Sequence, residues 1–422
     1  MYYGYDCVRG IRMNSIFYKL FFLLGLFAGL NVFSVDLKVI DMTVFTFLLM
    51  GIVLLKLCIK PKMYLPHNKI DPLFGYYILF YISSFCSILF LPSDWIKANM
   101  VAVFSTTVGV FGFYLLFSEE EKCKYLRVFL RGLRINCSLQ LVWAFMQFAC
   151  VEFLALPLNY TLGLKNAKSN LDIAYQVTGL GWERAELCYT MALGFLLFDK
   201  LWIKALFVLG VLITQSRTGM ILIVLVVLTS INYKKIFSQM GKLKIKIITF
   251  ISVAVAFGAI FVLKDRLISQ LTTIIERFSN IRHEGSGLTH MFYYQYIPYI
   301  LSQINIGQTL LGFGASSSGY PYAAYSELFE VSKGPWTVES TWLSVLWSTG
   351  AVGFVLWVSW FVLNIKRFFK VNKKVFSLMC SVLIGGIFYT LLPNWGMLVL
   401  VAFVYANVEF GKNLLKVRGE KE

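Results

Sequence analysis

The stretch VLITQSRTGMILIVL, residues 211–225, sets Arg217 between two apolar runs, each long enough to lie in a membrane. Read this way, it is a span, a short turn and the start of another span. A permanent cation at such a turn needs water, lipid headgroups or a fixed anionic partner.

The rest of the chain repeats this pattern. The 422 residues are 58% hydrophobic and 17% aromatic, with only 14% charged. A soluble domain has no core large enough for that apolar fraction, and runs near 20 residues recur along the whole length. The first run, residues 15–33, is too long for the apolar part of a signal peptide and lacks a small-residue cleavage site, so it reads as the first span. The net charge of +17 fits basic loops facing anionic lipid rather than nucleic acid. Eight cysteines (Cys7, Cys58, Cys86, Cys123, Cys137, Cys150, Cys188 and Cys380) show no CxxC spacing, so neither a disulfide framework nor a zinc site is expected. With His67, His283 and His290 as the only histidines, no histidine-rich metal site is expected either.

Hydropathy predicts an all-α polytopic membrane protein, a single integral membrane domain over residues 1–422 with about 12 transmembrane helices. Their approximate limits are 15–33, 42–59, 72–91, 98–117, 134–156, 185–199, 201–215, 218–232, 247–264, 340–363, 375–392 and 395–411. With a cytoplasmic N-terminus, every alternate loop is basic, from Arg9 and Arg12 through Lys122–Arg134, Lys234–Lys246 and Lys366–Lys374 to Lys412–Lys421. The short loops opposite hold little more than Lys38 and Lys97. The positive-inside rule then places both termini in the cytoplasm.

Two outer loops are long, and long loops without a domain of their own usually carry function. The first covers 157–184. The second, 265–339, is a large loop between the ninth and tenth spans. Within it, Leu267, Leu271, Ile274, Phe278 and Ile281 recur at helical spacing and predict an amphipathic helix along the membrane boundary. HMFYYQYIPYI, residues 290–300, follows. Its aromatic run, 292–299, reads as an interfacial belt or as a platform for sugars. Gly25 and Gly29 form a GxxxG pattern assigned to helix packing.

This topology brings Arg217, Arg184, Arg266, Arg277 and Arg282 to the outer boundary. Guanidinium is always charged, and its planar fork suits phosphate. Arg217 either snorkels to headgroups or grips an anion. Arg184 is a loop-end anchor or an anion ligand, and the three loop arginines are a solvated helix face or further ligands. Glu339 is a base, or a partner of the neighbouring helix end or of an arginine. His290 is a loop histidine or a base. GFG at 312–314 lacks the strand–helix context of a dinucleotide motif.

Three segments carry a family resemblance. TQSRTG (214–219) resembles the Ser-Arg-x-x-Gly-like element of the O-antigen ligase and O-antigen polymerase (Wzy-type) superfamily of bacterial inner-membrane glycosyltransferases. LLGFGASSSGY (310–320) resembles that family's Gly-x-Gly segment in the large periplasmic loop. ESTWLSVLWSTGAVGFVL (339–356) resembles the element that opens the next span. Ligases there carry histidine, then Asn, Ser or Gln, then nine residues before Gly-x-x-Gly. In this chain Glu339 stands at the histidine position, with Ser340 next and Gly350 and Gly353 closing the pattern. That departure favours the polymerase branch and leaves the ligase open.

The resemblance implies a GT-C-like membrane enzyme of the Gram-negative inner membrane, working at the periplasmic face. Its implied substrates are undecaprenyl-diphosphate-linked oligosaccharide repeat units, with no cofactor. Arg217, Arg184 and one or more of Arg266, Arg277 and Arg282 would hold the diphosphate. Glu339 is the implied base and His290 the second candidate. A chain-length-determining co-polymerase is a partner expected from the family alone. The rival class is a lipid-linked oligosaccharide flippase. A flippase should carry charges within its spans and show two similar halves. This chain has few in-span charges, Lys56 and Lys204 being the clearest, and its distinctive residues fall on one side.

Overall fold

A computed structural model describes residues 3–31, 33–36, 41–65, 71–162, 164, 175–181, 183–230, 292–325, 336–389 and 394–407. These residues are helical apart from loops and one short antiparallel pair, β1 (Ser34–Asp36) with β2 (Asp41–Thr43). Except for the ninth, every expected span overlaps a helix among the described residues. In chain order these are α1 (Tyr3–Phe27), α2 (Val44–Ile59), α3 (Pro72–Ser87), α4 (Ser93–Thr106), α5 (Gly112–Leu116) and α6 (Glu119–Leu154). After a short α7 (Leu158–Thr161) come α8 (Arg184–Leu197), α9 (Leu201–Leu212) and α10 (Arg217–Ser230). Short helices α11 (Ile297–Gln303), α12 (Ile306–Leu311) and α13 (Tyr320–Tyr325) precede α14 (Thr341–Phe368), α15 (Lys373–Gly385) and α16 (Asn394–Ala406). Ser93–Leu116, Glu119–Leu154 and Thr341–Phe368 are each long and apolar enough to cross a membrane. The chain is a multi-pass membrane protein. The ninth span and the interfacial helix of the large loop lie outside the described residues.

Two features depart from the hydropathy reading. α6 begins at Glu119, well before the expected span at 134, so Lys122, Lys124, Arg127 and Arg131 are helical rather than in a loop. A capping box from Ser118 and Glu121 starts the helix, and three glutamates in its first turn suit the positive end of the helix dipole. Leu126, Phe129 and Leu133 are buried there while the basic residues ride the same turns, so a hydropathy window sees charge where the helix has one apolar face. The GxxxG pattern also divides. Gly25 packs reciprocally with Gly132 of α6: a Cβ at either would overlap the other helix's backbone, at Phe129 and Phe22 respectively. Such contacts hold helices together where lipid removes the hydrophobic drive. Gly29 instead lies beyond α1 at φ +73, where a Cβ would press on Trp395 at 3.1 Å.

The spans alternate in direction. At one end Asn31, just past α1, donates to Glu186 in the first turn of α8 (2.9 Å). The Thr341 amide that opens α14 donates to the carbonyl of Tyr389, which follows α15 (3.2 Å). At the opposite end Lys56 of α2 meets Glu121 of α6 (3.4 Å), and Lys374 of α15 meets Asp199 after α8 (2.7 Å). The in-span Lys56 is thus paired, and its ammonium lies 4.7 Å from the Phe117 ring centre.

α14 is broken. Gly350 has φ +67 and ψ −174 inside it, and residues 312–314 run alongside the break. The amides of Phe313 and Gly314 donate to the carbonyls of Trp347 (2.7 Å) and Ser348 (3.0 Å). Ser83 of α3 donates to the same Ser348 carbonyl (2.6 Å). Gly312 (φ +78) approaches so closely that a Cβ there would lie 2.5 Å from the Gly350 amide nitrogen. GFG is therefore a backbone clasp on a broken helix. The free carbonyls and amides of the break are satisfied by a loop, as a low-dielectric setting requires.

Candidate functional site

Arg217 is the first residue of α10, and its motif explains its placement. Gln215 turns the chain with φ +54. Ser216 then caps the helix by accepting from the Gly219 amide (3.2 Å), and Thr214 accepts from the Ser216 amide (3.2 Å). Gly219 lets α10 close on α8, because a Cβ there would overlap the Cys188 thiol. Cys188 also contacts the Thr214 hydroxyl (3.1 Å). Cys188 is one turn beyond Arg184, which opens α8. The two arginines therefore stand in the first turns of adjacent helices that start at the same end. Both helix dipoles add positive potential there.

A polar stripe on α6 holds the loop that delivers Arg184. Gln147 accepts from the Gly179 amide (2.8 Å), and Gln140 accepts from the Leu180 amide (2.8 Å) while donating to the Gly29 carbonyl (3.4 Å). Asn159 donates to the Gly179 carbonyl (2.8 Å) and accepts from the Trp143 indole (2.9 Å). Beside this loop, a cavity of about 210 Å³ opens against Arg184, with Glu152, Tyr175, Gln176, Thr214 and Gln215 on its walls.

Glu339 precedes Ser340, and Ser340 is the residue that caps α14, accepting from the Leu343 amide (3.3 Å). The capping role weighed for Glu339 thus belongs to its neighbour. Ser340 is further fixed by the Tyr294 hydroxyl (2.9 Å) and by donating to the Gly386 carbonyl (3.2 Å). Tyr293 is buried in a cluster with Phe313, Tyr322 and Trp347, so Tyr293 and Tyr294 are packing residues, whereas Phe292 and Tyr299 are exposed.

Two carboxylates that sequence reading passed over join this end. Glu183 is the residue before α8, in extended conformation. Its residue surface is exposed, yet the carboxyl is crowded enough that burial raises it to about 7, with Glu186 and then Glu339 pushing the same way. Solvent at the exposed face screens part of the effect. The Glu183–Glu339 repulsion places the start of α8 near the start of α14. No local signal marks this, because the partners are far apart in sequence. Glu186 accepts from Asn31, with the two residues 155 positions apart.

Arg184 and Arg217 thus open adjacent helices at one end, with Glu183 and Glu186 flanking Arg184 and Glu339 near enough to act on the Glu183 carboxyl. Arg266, Arg277, Arg282 and His290 lie outside the described residues. Residues 202–358 match the family model described as O-antigen ligase. That segment is well under half of the chain and contains Arg217, the 312–314 clasp and Glu339, while Arg184 lies just before it. No curated protein matches. The match supports a membrane glycosyltransferase of the ligase/polymerase type that works on glycans.

Proposed function

We propose that the protein is an O-antigen polymerase, joining undecaprenyl-diphosphate-linked repeat units at the periplasmic face of a Gram-negative inner membrane. The observation that carries this reading is the pairing of two arginine-led helix starts, α8 and α10, with two interacting carboxylates, Glu183 before α8 and Glu339 before α14. Cations suit a lipid diphosphate, and carboxylates suit an acceptor hydroxyl.

In the reaction, an acceptor sugar oxygen attacks the anomeric carbon of the donor glycan. The C–O bond to the diphosphate breaks, and its electron pair leaves with the lipid diphosphate. Arg184 and Arg217, helped by the helix dipoles, hold that charge, with Arg266, Arg277 and Arg282 as further candidates from the loop. Glu339 takes the acceptor proton. Glu183, raised toward neutrality, suits a neighbour that passes the proton on. His290 is the second candidate base. The remaining work is positioning two large substrates.

The family description favours a second reading, a ligase that transfers glycan to lipid A-core. Glu339 at the ligase histidine position speaks for the polymerase. Deleting the gene and separating lipopolysaccharide on a gel tests both. Core carrying a single repeat unit is the polymerase outcome, whereas core without any repeat unit rejects it in favour of a ligase or flippase.

A further inference from the structure

A second cavity, of about 170 Å³, lies between α3, α4 and α14, apart from the arginines. Thr337 and Thr341 both line it, one on each side of Glu339 in the chain. Each is two residues from Glu339, at most about 7 Å of backbone. The cavity therefore abuts the carboxylate end of the site.

Its walls are rich in hydroxyls without partners. Those of Tyr76, Tyr77, Thr106, Ser316, Thr337 and Ser348 make no hydrogen bond among the described residues. All of these residues but Thr337 are at least half-buried by neighbours, and Tyr77, Thr106 and Ser348 are buried outright, at 4%, 7% and 6% exposure. Their oxygens are not among the sealed, unpartnered polar atoms of the described residues, so they open onto the cavity, where a polar occupant could pair with them and a hydrocarbon one could not. Ser316 is held at φ +52, a conformation that a non-glycine residue seldom adopts and that tends to persist at ligand sites. The side chains named on its walls are hydroxyl, aromatic and apolar, a lining that suits an uncharged polar occupant. Trp357 and the two tyrosines supply aromatic surface. The volume holds roughly six waters at about 30 Å³ each, which is the scale of one sugar ring and too small for an oligosaccharide.

We infer that this cavity is a subsite for a single uncharged sugar ring, the terminal residue of the acceptor glycan, presented with its reacting hydroxyl toward Glu339. The assignment of donor and acceptor rests on the polymerase reading. Recognition of a neutral sugar rests on the cavity itself. Tyr77 and Thr106, on α3 and α4, would select among sugars by hydrogen bonding.

The test uses full-length protein in detergent micelles and a panel of methyl glycosides of neutral hexoses and N-acetylhexosamines, observed by saturation-transfer NMR. At least one glycoside is expected to receive saturation from the wild type. The double variant Tyr77→Phe with Thr106→Val keeps shape and removes two hydroxyls. It is expected to weaken that glycoside at least tenfold, with an unchanged melting temperature. A bulkier Ser344→Leu should abolish binding by filling the cavity. If no glycoside binds, or if all variants bind as well as wild type, the cavity holds water and the inference falls. Polymer formation by the same wild-type preparation is scored separately. A ladder without glycoside binding rejects the subsite and leaves the function standing. Glycoside binding that the variants abolish, without any ladder, upholds the sugar site and rejects the polymerase reading.

Discussion

Gly219 of α10 lies directly against Cys188 of α8, so close that one methyl group at Gly219 would overlap the thiol. This contact sets the spacing between the first turns that carry Arg217 and Arg184. Gly219→Ala is expected to lower polymer formation by tenfold or more by separating the arginines, with the protein still present in the membrane. Adding Cys188→Gly removes the clash and should restore most of the activity. Activity in the double variant no better than in Gly219→Ala alone would show that helix spacing is not what the glycine protects.

The arginines should not tolerate lysine. Arg217→Lys keeps the charge but loses the bidentate fork. An arginine that only snorkels to headgroups would be replaced well by lysine. Arg217→Lys and Arg184→Lys are each expected to lose most of the lipopolysaccharide ladder at normal protein level. A full ladder from either variant would remove that residue from the diphosphate site.

The carboxylates predict a pH signature. The Glu183 carboxyl is raised from 4.5 to about 7. A carboxyl raised on folding favours the folded state in its protonated form, so its contribution is present below the unfolded value and is lost as pH rises through about 7. Wild-type melting temperature should therefore fall between about pH 5 and pH 8, and Glu183→Gln should remove much of that fall. Melting curves in detergent across this range check it; parallel curves for the two proteins would contradict the shared carboxylate region. For catalysis, Glu339→Gln should cost roughly 100- to 10,000-fold in turnover, the range for loss of a general base. Near-normal turnover would pass the role to Glu183 or His290.

Helix positions were legible in the sequence because apolar runs end where charge or turn residues begin. The expected spans at 42–59, 72–91 and 185–199 meet helices Val44–Ile59, Pro72–Ser87 and Arg184–Leu197. Arg217 and Glu339 were legible too, since each sits at the edge of such a run. Glu183 and Glu186 were not. Their neighbours Glu339 and Asn31 come from remote parts of the chain, and no periodicity records a tertiary approach. The early start of α6 was hidden because basic residues interleaved with apolar ones in the same turns resemble a loop to any linear window. The GFG segment showed only its glycines. That they clasp Gly350 depends on a helix break that hydropathy cannot see.

The clasp yields its own expectation. Gly350 at φ +67 and Gly312 at φ +78 each approach foreign backbone too closely for a side chain. Strain of this kind costs about 1–3 kcal/mol per residue before any clash is counted. Gly350→Ala and Gly312→Ala should therefore lower the melting temperature in detergent and reduce the protein level in membranes. Unchanged melting for both would show that the break in α14 relaxes without the loop.

The most direct measurement is a reconstitution. Purified protein in liposomes is supplied with undecaprenyl-diphosphate-linked repeat units, and two products are quantified together: lipid-linked oligomers and free undecaprenyl diphosphate. The expected result is one undecaprenyl diphosphate released for each repeat unit added, with both products lost in Arg217→Lys. Oligomers and released carrier at wild-type rates from Arg217→Lys, or no oligomer from the wild type under any supply of substrate, would contradict the proposal that these arginines hold the diphosphate during glycan transfer.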